Sequence, residues 1–302
     1  MIQVPEELVR SQVKYNGEAG RAFVARLPGL AGEFLGRWGL RVTGPSLHGV
    51  ASLVLPVERA ADGAPAALKM QLPDHETEGE PVALRAWDGA GAVRLLDHDA
   101  GTGTMLLERL DEARPLTALA DTRAAVSVAA GLLARLVAVP APAGLRTLGD
   151  IAAGMLARVP DALVRLGAED AAVLRDCVAA VREVAGEPGD RLLHWDLHLG
   201  NVLAGGREPW LAIDPKPLAG DPGFELLPLL MDRFDPDDVL WRFDLLTEVV
   251  GDRGRAVAWT LGRVLQNGLW ELAEGEPGLD EEQMAVARIL LDGRAGGFRR
   301  SS

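Results

Sequence analysis

The chain has 302 residues, 48 % of them hydrophobic, with a formal charge of −13. That supplies apolar material for one large domain or two lobes with real cores. The acidity disfavours nucleic acid, whose phosphates need a basic footprint, and fits a cationic small partner as well as it fits ordinary solubility. A lone cysteine, Cys177, excludes a disulfide framework and a cysteine-built metal site.

The first twenty residues carry Glu6, Glu7 and Glu18 and no apolar stretch of the signal-peptide kind. Residues 5–39 place Phe23, Leu27, Leu30, Phe34, Leu35 and Trp38 near helical period. Pro28, unable to continue a helix, is expected to divide this segment in two, and Gly39 to close it as a C-terminal cap. From 40 to 110 the pattern changes to short β-type runs at 40–43, 51–57, 66–72, 93–96 and 104–107. One helical patch, 78–87, falls between the third and fourth. Lys69 stands in the middle of the third run, where on pattern alone it reads as the solvent-facing member of an alternation. Gly44-Pro45-Ser46-Leu47-His48-Gly49, between the first two runs, reads on its own as a hairpin turn.

After Pro115 the chain turns helical. Asp121 is positioned to cap a helix to 139, and Pro140-Ala141-Pro142-Ala143-Gly144 breaks it. Segments 148–166 and 169–185 follow, with Cys177 as a small core residue. The longest uncharged, mostly apolar run, 124–134, is far short of a membrane span, so a cytoplasmic protein without a membrane partner is expected. Beyond the central stretch come helices at 224–233, 237–250, 255–274 and 281–291, then the tail Arg299-Arg300-Ser301-Ser302. No internal repeat or low-complexity segment is visible.

The chemistry concentrates between Leu192 and Glu225. Residues 201–204 and 210–213 read as strands of a hairpin turned at Gly205-Gly206, which brings Asn201 near Asp214, with Asp196 in the loop before it. A carboxylate and an amide oxygen facing each other are hard ligands suited to Mg²⁺ held together with substrate phosphates. A second carboxylate on an irregular loop can accept a proton from an attacking hydroxyl. Asp196 to Asn201 meets the D-x-x-x-x-N spacing of the kinase catalytic loop, and His194 stands two residues ahead, as in H-R-D. Two plainer readings compete. His194-x-Asp196-x-His198 could belong to a Zn or Fe hydrolase site, completed by His48, His75 or His98. Alternatively Asp196 and Asn201 only cap turns.

His194-Trp195-Asp196-Leu197-His198-Leu199-Gly200-Asn201, followed by Ala212-Ile213-Asp214-Pro215-Lys216-Pro217, resembles the aminoglycoside phosphotransferases, which share the protein-kinase-like fold. Gly220-Asp221-Pro222-Gly223-Phe224-Glu225-Leu226 resembles the branch of streptomycin 6-kinases and aminoglycoside/hydroxyurea resistance kinases. The resemblance implies an α+β, two-lobed fold, with a small nucleotide-binding lobe over 1–109 and a helical lobe over 110–302. It implies ATP between lobes, Mg²⁺ on Asn201 and Asp214, and Asp196 as the base acting on an acceptor hydroxyl. Lys69, paired with Glu80 in preference to Glu76 or Glu78, would hold the α- and β-phosphates. Glu108 and Leu110 fall by position on the adenine edge, and 44–51 on the phosphate-covering loop, although Gly44 to Gly49 departs from G-x-G-x-x-G. A hydroxylated, cationic acceptor of the streptomycin type needs carboxylates, for which Asp221 and Glu225 are the candidates ahead of Asp232, Glu271 and Glu274. His198 reads as a packing residue of the loop, and Lys216 as either a phosphate neutraliser or a local ion pair. Asp214 followed by Pro215-Lys216, with no A-P-E element, favours a small-molecule kinase over a protein kinase. A kinase of the same superfamily with another hydroxylated metabolite, and a non-catalytic nucleotide-binding pseudokinase, are the alternatives. A monomer is presumed.

Overall fold

The computed structural model describes residues 2–297, with side chains to 294; the Arg299–Ser302 tail lies outside the described residues. The chain divides into two compact units, one of residues 1–113 and 204–211, the other of 114–203 and 212–302.

The first unit begins with α1 (Glu6–Arg37), followed by β1 (Leu40–Val42), β2 (Leu47–His48), β3 (Ser52–Arg59), β4 (Pro65–Gln71), α2 (Glu80–Trp87), β5 (Leu95–Asp99) and β6 (Thr104–Glu108). The sheet runs β1-β3-β4-β6-β5, with β2 also on β3, and its neighbours pair antiparallel. Phe23, Leu27, Leu30, Ala31 and Phe34 of α1 form one core with Leu53, Leu55, Leu68 and Met70 of the sheet. The helix is broken at Gly17 (φ 53°, ψ −124°), not at Pro28, which sits inside it. A proline in a helix interior costs about 3 kcal/mol, through the bond the Val24 carbonyl loses and the crowding of the ring. Each large apolar side chain buried on the same face returns about 1.5–3 kcal/mol, so Phe23, Leu27, Leu30 and Phe34, buried on either side of Pro28, keep that stretch helical. Gly39 (φ 60°) does follow the helix end, in the left-handed conformation expected of a closing glycine. In α2, Ala83, Leu84 and Trp87 are buried, and the helix stops at Asp88, which adopts φ 46°.

From β7 (Asp111–Pro115) the chain enters the second unit, which holds α3 (Thr122–Leu136), α4 (Leu148–Leu163), α5 (Ala168–Val184) and β8 (Arg191–Leu193). The short strands β9 (Val202–Ala204), β10 (Trp210–Ala212) and β11 (Leu218–Gly220) precede α6 (Leu227–Met231), α7 (Val239–Val250), α8 (Arg253–Glu274) and α9 (Glu281–Gly297). Asp121 accepts from Ala124 N at 3.1 Å and caps α3 as expected. α8 packs on α5 and is buried along most of its length, with Trp259, Leu261 and Leu265 fully enclosed. β8 pairs antiparallel with β11, Leu193 opposite Leu218, and so fixes both ends of the segment that carries the motifs. The helix expected over 224–233 is instead a 3-10 turn, Pro222–Glu225, followed by the short α6. Pro228 sits in the first turn of α6, where its missing N–H costs nothing. Among the described residues no helix is long and apolar enough to cross a membrane.

Candidate active site

In the first unit the focus is β4. It is buried from its second residue to its last, so Lys69 does not alternate out to solvent and is only 3 % exposed. An ammonium there needs a partner. Glu80, 1 % exposed in the first turn of α2, provides it: Lys69 Nζ donates to Oε1 at 2.7 Å and to Oε2 at 2.9 Å, and Gln71 Nε2 adds a third bond to Oε2 at 2.7 Å. Glu76 and Glu78 lie in the turn before α2, where Asp74 accepts from the amides of Glu76 and Thr77.

The turn before β3 contains a short strand of its own, with Leu47 opposite Val54 and His48 opposite Leu53. At the end of β6, the Glu108 amide donates to Arg94 O at 2.9 Å. Its carboxylate accepts from Arg207 at 3.2 and 3.0 Å and from Arg94 N at 3.1 Å. Leu110 is buried at 7 %. The Glu108 side chain therefore ties strand end to hairpin tip.

In the second unit, the loop from His194 to Asn201 is built almost entirely from side chains that bond backbone. His194 is fully buried; its Nδ1 accepts from Asp196 N at 3.3 Å and its Nε2 faces Ile213 O at 3.0 Å. Burial lowers its pKa to about 4, so it is neutral near pH 7, and the two contacts place the proton on Nε2. Both ring nitrogens are thus engaged, and among the described residues no group of three or more His, Cys, Asp or Glu is arranged to hold a metal. The hydrolase alternative fails on that geometry. His198 Nδ1 accepts from Gly200 N at 3.1 Å and caps the 3-10 turn Leu199–Asn201, where the sequence suggested that a strand begins at Asn201.

Trp195 adopts φ 63°, a conformation that costs a bulky residue free energy and needs support. The support comes from both ends of the residue. Its amide donates to Glu225 Oε1 at 2.9 Å. Its ring is contacted by the guanidinium groups of Arg146 (4.5 Å) and Arg263 (4.9 Å), beside Phe224 and Trp270. Glu225 is 1 % exposed, and burial raises its pKa to about 7. Asp221 accepts from Gly223 N at 2.8 Å and from Arg255 Nε at 2.9 Å. The sequence reading sets Asp221 and Glu225 against a cationic acceptor; in the structure both have partners of their own, and Asp221 stays partly exposed. One carboxylate is taken up by the unit's own donors, and the other is enclosed beneath the loop. Asp232 has the same kind of task, its Oδ2 accepting from Leu199 N at 2.6 Å. Nothing in the spacing of these carboxylates signals that three of them hold backbone.

Asp196, Asn201, Asp214 and Lys216 remain, each partly exposed on this scaffold. Asn201 Nδ2 donates to Asp196 O at 2.9 Å, and Ile213 N donates to Asn201 O at 2.9 Å, so the loop and the Asp214 segment are tied through one residue. Lys216 Nζ lies 3.6 Å from Asp196 Oδ2, which makes it a local ion-pair partner of that carboxylate. Asp214 itself adopts φ 56°.

The model of the aminoglycoside/hydroxyurea antibiotic resistance kinases matches residues 37–273. The chain belongs to that family. It is 65 % identical over 300 residues to a hydroxyurea phosphotransferase of Kitasatospora aureofaciens, covering 98 % of this chain and 88 % of that protein. It is 55 % identical to a streptomycin 6-kinase of Streptomyces glaucescens, covering 96 % and 97 % respectively. The fold is that of a thermostable mutant of aminoglycoside phosphotransferase APH(4)-Ia, crystallised with AMP-PNP and hygromycin B: TM-score 0.63 at 15 % identity, over 88 % of this chain and 98 % of that one. A choline/ethanolamine kinase family protein of Mesorhizobium loti matches with a TM-score of 0.59 at 21 % identity, over 90 % and 93 %. This kinase is therefore α+β and protein-kinase-like, as its motifs implied, and it is a phosphotransferase.

Proposed function

We propose that the chain transfers the γ-phosphoryl group of ATP to a hydroxyl of a small acceptor, with Asp196 as the catalytic base. The observation that carries this is the contrast within the loop. Asp196, Asn201 and Asp214 stand partly exposed, while His194, Trp195, Leu197 and Leu199 are buried, with the amides of Trp195 and Leu199 bonded to carboxylates and the His194 ring facing Ile213 O. Asp196 orients the acceptor hydroxyl and takes its proton as the new O–P bond forms; the bond to the β-phosphate oxygen breaks, and ADP leaves. Lys216 steers the Asp196 carboxylate. Lys69, fixed by Glu80 and Gln71, meets the charge of the α- and β-phosphates. Glu108 and Leu110 supply the adenine edge through backbone and apolar surface.

Mg²⁺ fits the donor set. Asn201 commits its amide nitrogen to Asp196 O, so its oxygen is the ligating atom, and Asp214 adds a carboxylate, both hard donors. When bound, the ion neutralises phosphate charge. Transfer of this kind runs mainly on positioning and charge neutralisation, which a loop pinned at residues 195, 196, 199 and 200 supplies.

For the acceptor, the relation to a hydroxyurea phosphotransferase makes the hydroxyl of hydroxyurea the first assignment. The 6-hydroxyl of streptomycin, which the motifs alone favoured, is the second, supported by the streptomycin 6-kinase relatives. ATP consumption with Mg²⁺ across hydroxyurea, streptomycin, simple amino alcohols and sugars tests both. Turnover that depends on hydroxyurea or streptomycin supports the assignment; turnover on another acceptor keeps the reaction and discards both; ATP binding without turnover on any acceptor removes the proposal.

A further inference from the structure

α1 lies almost wholly outside the segment that the family model matches, residues 37–273. Its second part is a core element of the small unit. Its first part, residues 6–16, does something else. Beyond the break at Gly17 this part folds back so closely that a Cβ on Gly20 would lie 2.1 Å from Gln12 O. Leu8 anchors it in the core, and Gln12 is buried at 1 %.

The Gln12 amide is used at both ends. Its Oε1 accepts from Asn16 Nδ2 at 3.1 Å, which orients the amide, and its Nε2 donates to Ala51 O at 3.0 Å. The neighbouring Ser11 Oγ donates to Val50 O. Two successive carbonyls at the tip of the β2–β3 hairpin are thus held from α1, while Gly49 N closes the same tip on Ser52 O at 3.0 Å. A hairpin tip is ordinarily among the more mobile parts of a domain. This one is fastened by side chains from a helix about forty residues earlier, one of them a fully buried amide that has no other evident task.

We propose that the first part of α1 is a brace that holds the β2–β3 turn in the conformation in which it covers nucleotide phosphates, with Gln12 as the positioning residue and Ser11 as its second tie. The inference rests on the proposed kinase function, in which the 44–51 segment lies over the phosphates. It accounts for what replaces a G-x-G-x-x-G loop here: the turn is ordered from outside, by hydrogen bonds to its carbonyls, and its remaining backbone N–H groups are presented in a fixed arrangement. A loop ordered in advance loses less freedom when nucleotide binds, so the brace acts on nucleotide affinity rather than on the chemical step.

The experiment measures ADP affinity by calorimetry, and KM and kcat with ATP and the acceptor, for wild type, Ser11→Ala, Gln12→Met and Gln12→Glu. Gln12→Met keeps the volume and removes both bonds; Gln12→Glu keeps the acceptor facing Asn16, removes the donor to Ala51 and turns a carboxylate oxygen towards that carbonyl. The brace predicts that Kd for ADP and KM for ATP rise roughly five- to tenfold in both Gln12 variants, and roughly twofold in Ser11→Ala. The acceptor KM and kcat at saturating ATP stay within about twofold of wild type. Should Gln12→Met fail to fold, Ser11→Ala and Gln12→Glu carry the test, since one changes a partly exposed side chain and the other keeps the size and shape of the side chain. Folded variants with wild-type ADP affinity overturn the brace alone. A wild-type protein that binds no nucleotide overturns the proposed function and the brace with it. A loss shared equally between nucleotide and acceptor also overturns the brace, because it marks a general structural defect.

Discussion

Lys69 and Glu80 form a buried ion pair whose energetics separate stability from catalysis. At 2.7 Å and an effective dielectric near 20, the gross attraction is about 6 kcal/mol. Taking each ion out of water costs several kcal/mol, so the intact pair contributes little net stability. Breaking it is another matter. Lys69→Met leaves the Glu80 carboxylate, 1 % exposed, with Gln71 Nε2 as its remaining bond of the three described above, and a loss of about 3–5 kcal/mol is expected. Adding Glu80→Gln removes the stranded charge but keeps an oxygen for Gln71, so the double variant should recover roughly 2 kcal/mol of that loss. Urea unfolding followed by circular dichroism gives the cycle. Both variants should lack phosphoryl transfer, since the lysine is absent in each. A Lys69→Met protein as stable as wild type, or a double variant less stable than the single, would refute the reasoning.

Two further predictions concern the loop's supports. Glu225 titrates near pH 7 in the folded chain against an ordinary 4.5, because burial opposes its charge. The folded state therefore holds a proton that the unfolded state has lost between those values, and stability from this group is full below about pH 4.5 and declines as pH rises to about 7. Glu225→Gln removes the titration while keeping an acceptor for Trp195 N–H. Its stability relative to wild type should thus grow with pH over that window, by up to about 3 kcal/mol, measured by unfolding at a series of pH values; a difference that is constant with pH contradicts the assignment. His194, held near 4 from an ordinary 6.5, gives the opposite slope and is common to both proteins, so it cancels in the difference. Asp232→Ala leaves the buried Leu199 N–H without its acceptor. It should cost about 1–3 kcal/mol and lower kcat more than it raises the KM for ATP, with Asp232→Asn restoring most of the activity; equal activity in all three proteins would show that this bond does not position the loop.

What could be read from the sequence follows from how local the information is. Asp196, Asn201 and Asp214 fall within nineteen positions of one another, so spacing alone brings them together, and the structure ties them through Asn201 and its neighbours. Lys69 reads on pattern alone as solvent-facing, and its pairing with Glu80 comes only with the family resemblance carried by residues 194–226. Other features depend on partners distant in the chain. Whether Glu225 faces an acceptor or the underside of the loop is decided by where the Trp195 amide ends up, thirty residues away, and Arg255 likewise claims Asp221 across thirty-four. The break in α1 was misplaced for a related reason: Pro28 is a strong local signal, but burial on both sides of it outweighs the lost bond, while the break falls at Gly17, whose φ of 53° a glycine adopts freely, and Gly20 passes close to Gln12 O.

Central to the proposed function is that Asp196 performs the proton transfer on a site that binds nucleotide independently of it. Asp196→Asn, compared with wild type for kcat and for ADP affinity, tests this most directly. Proton transfer by this carboxylate predicts a fall in kcat of roughly 10² to 10⁴ with ADP affinity within about twofold of wild type. An Asp196→Asn protein that turns over at the wild-type rate, or one that loses nucleotide binding in step with activity, would contradict it.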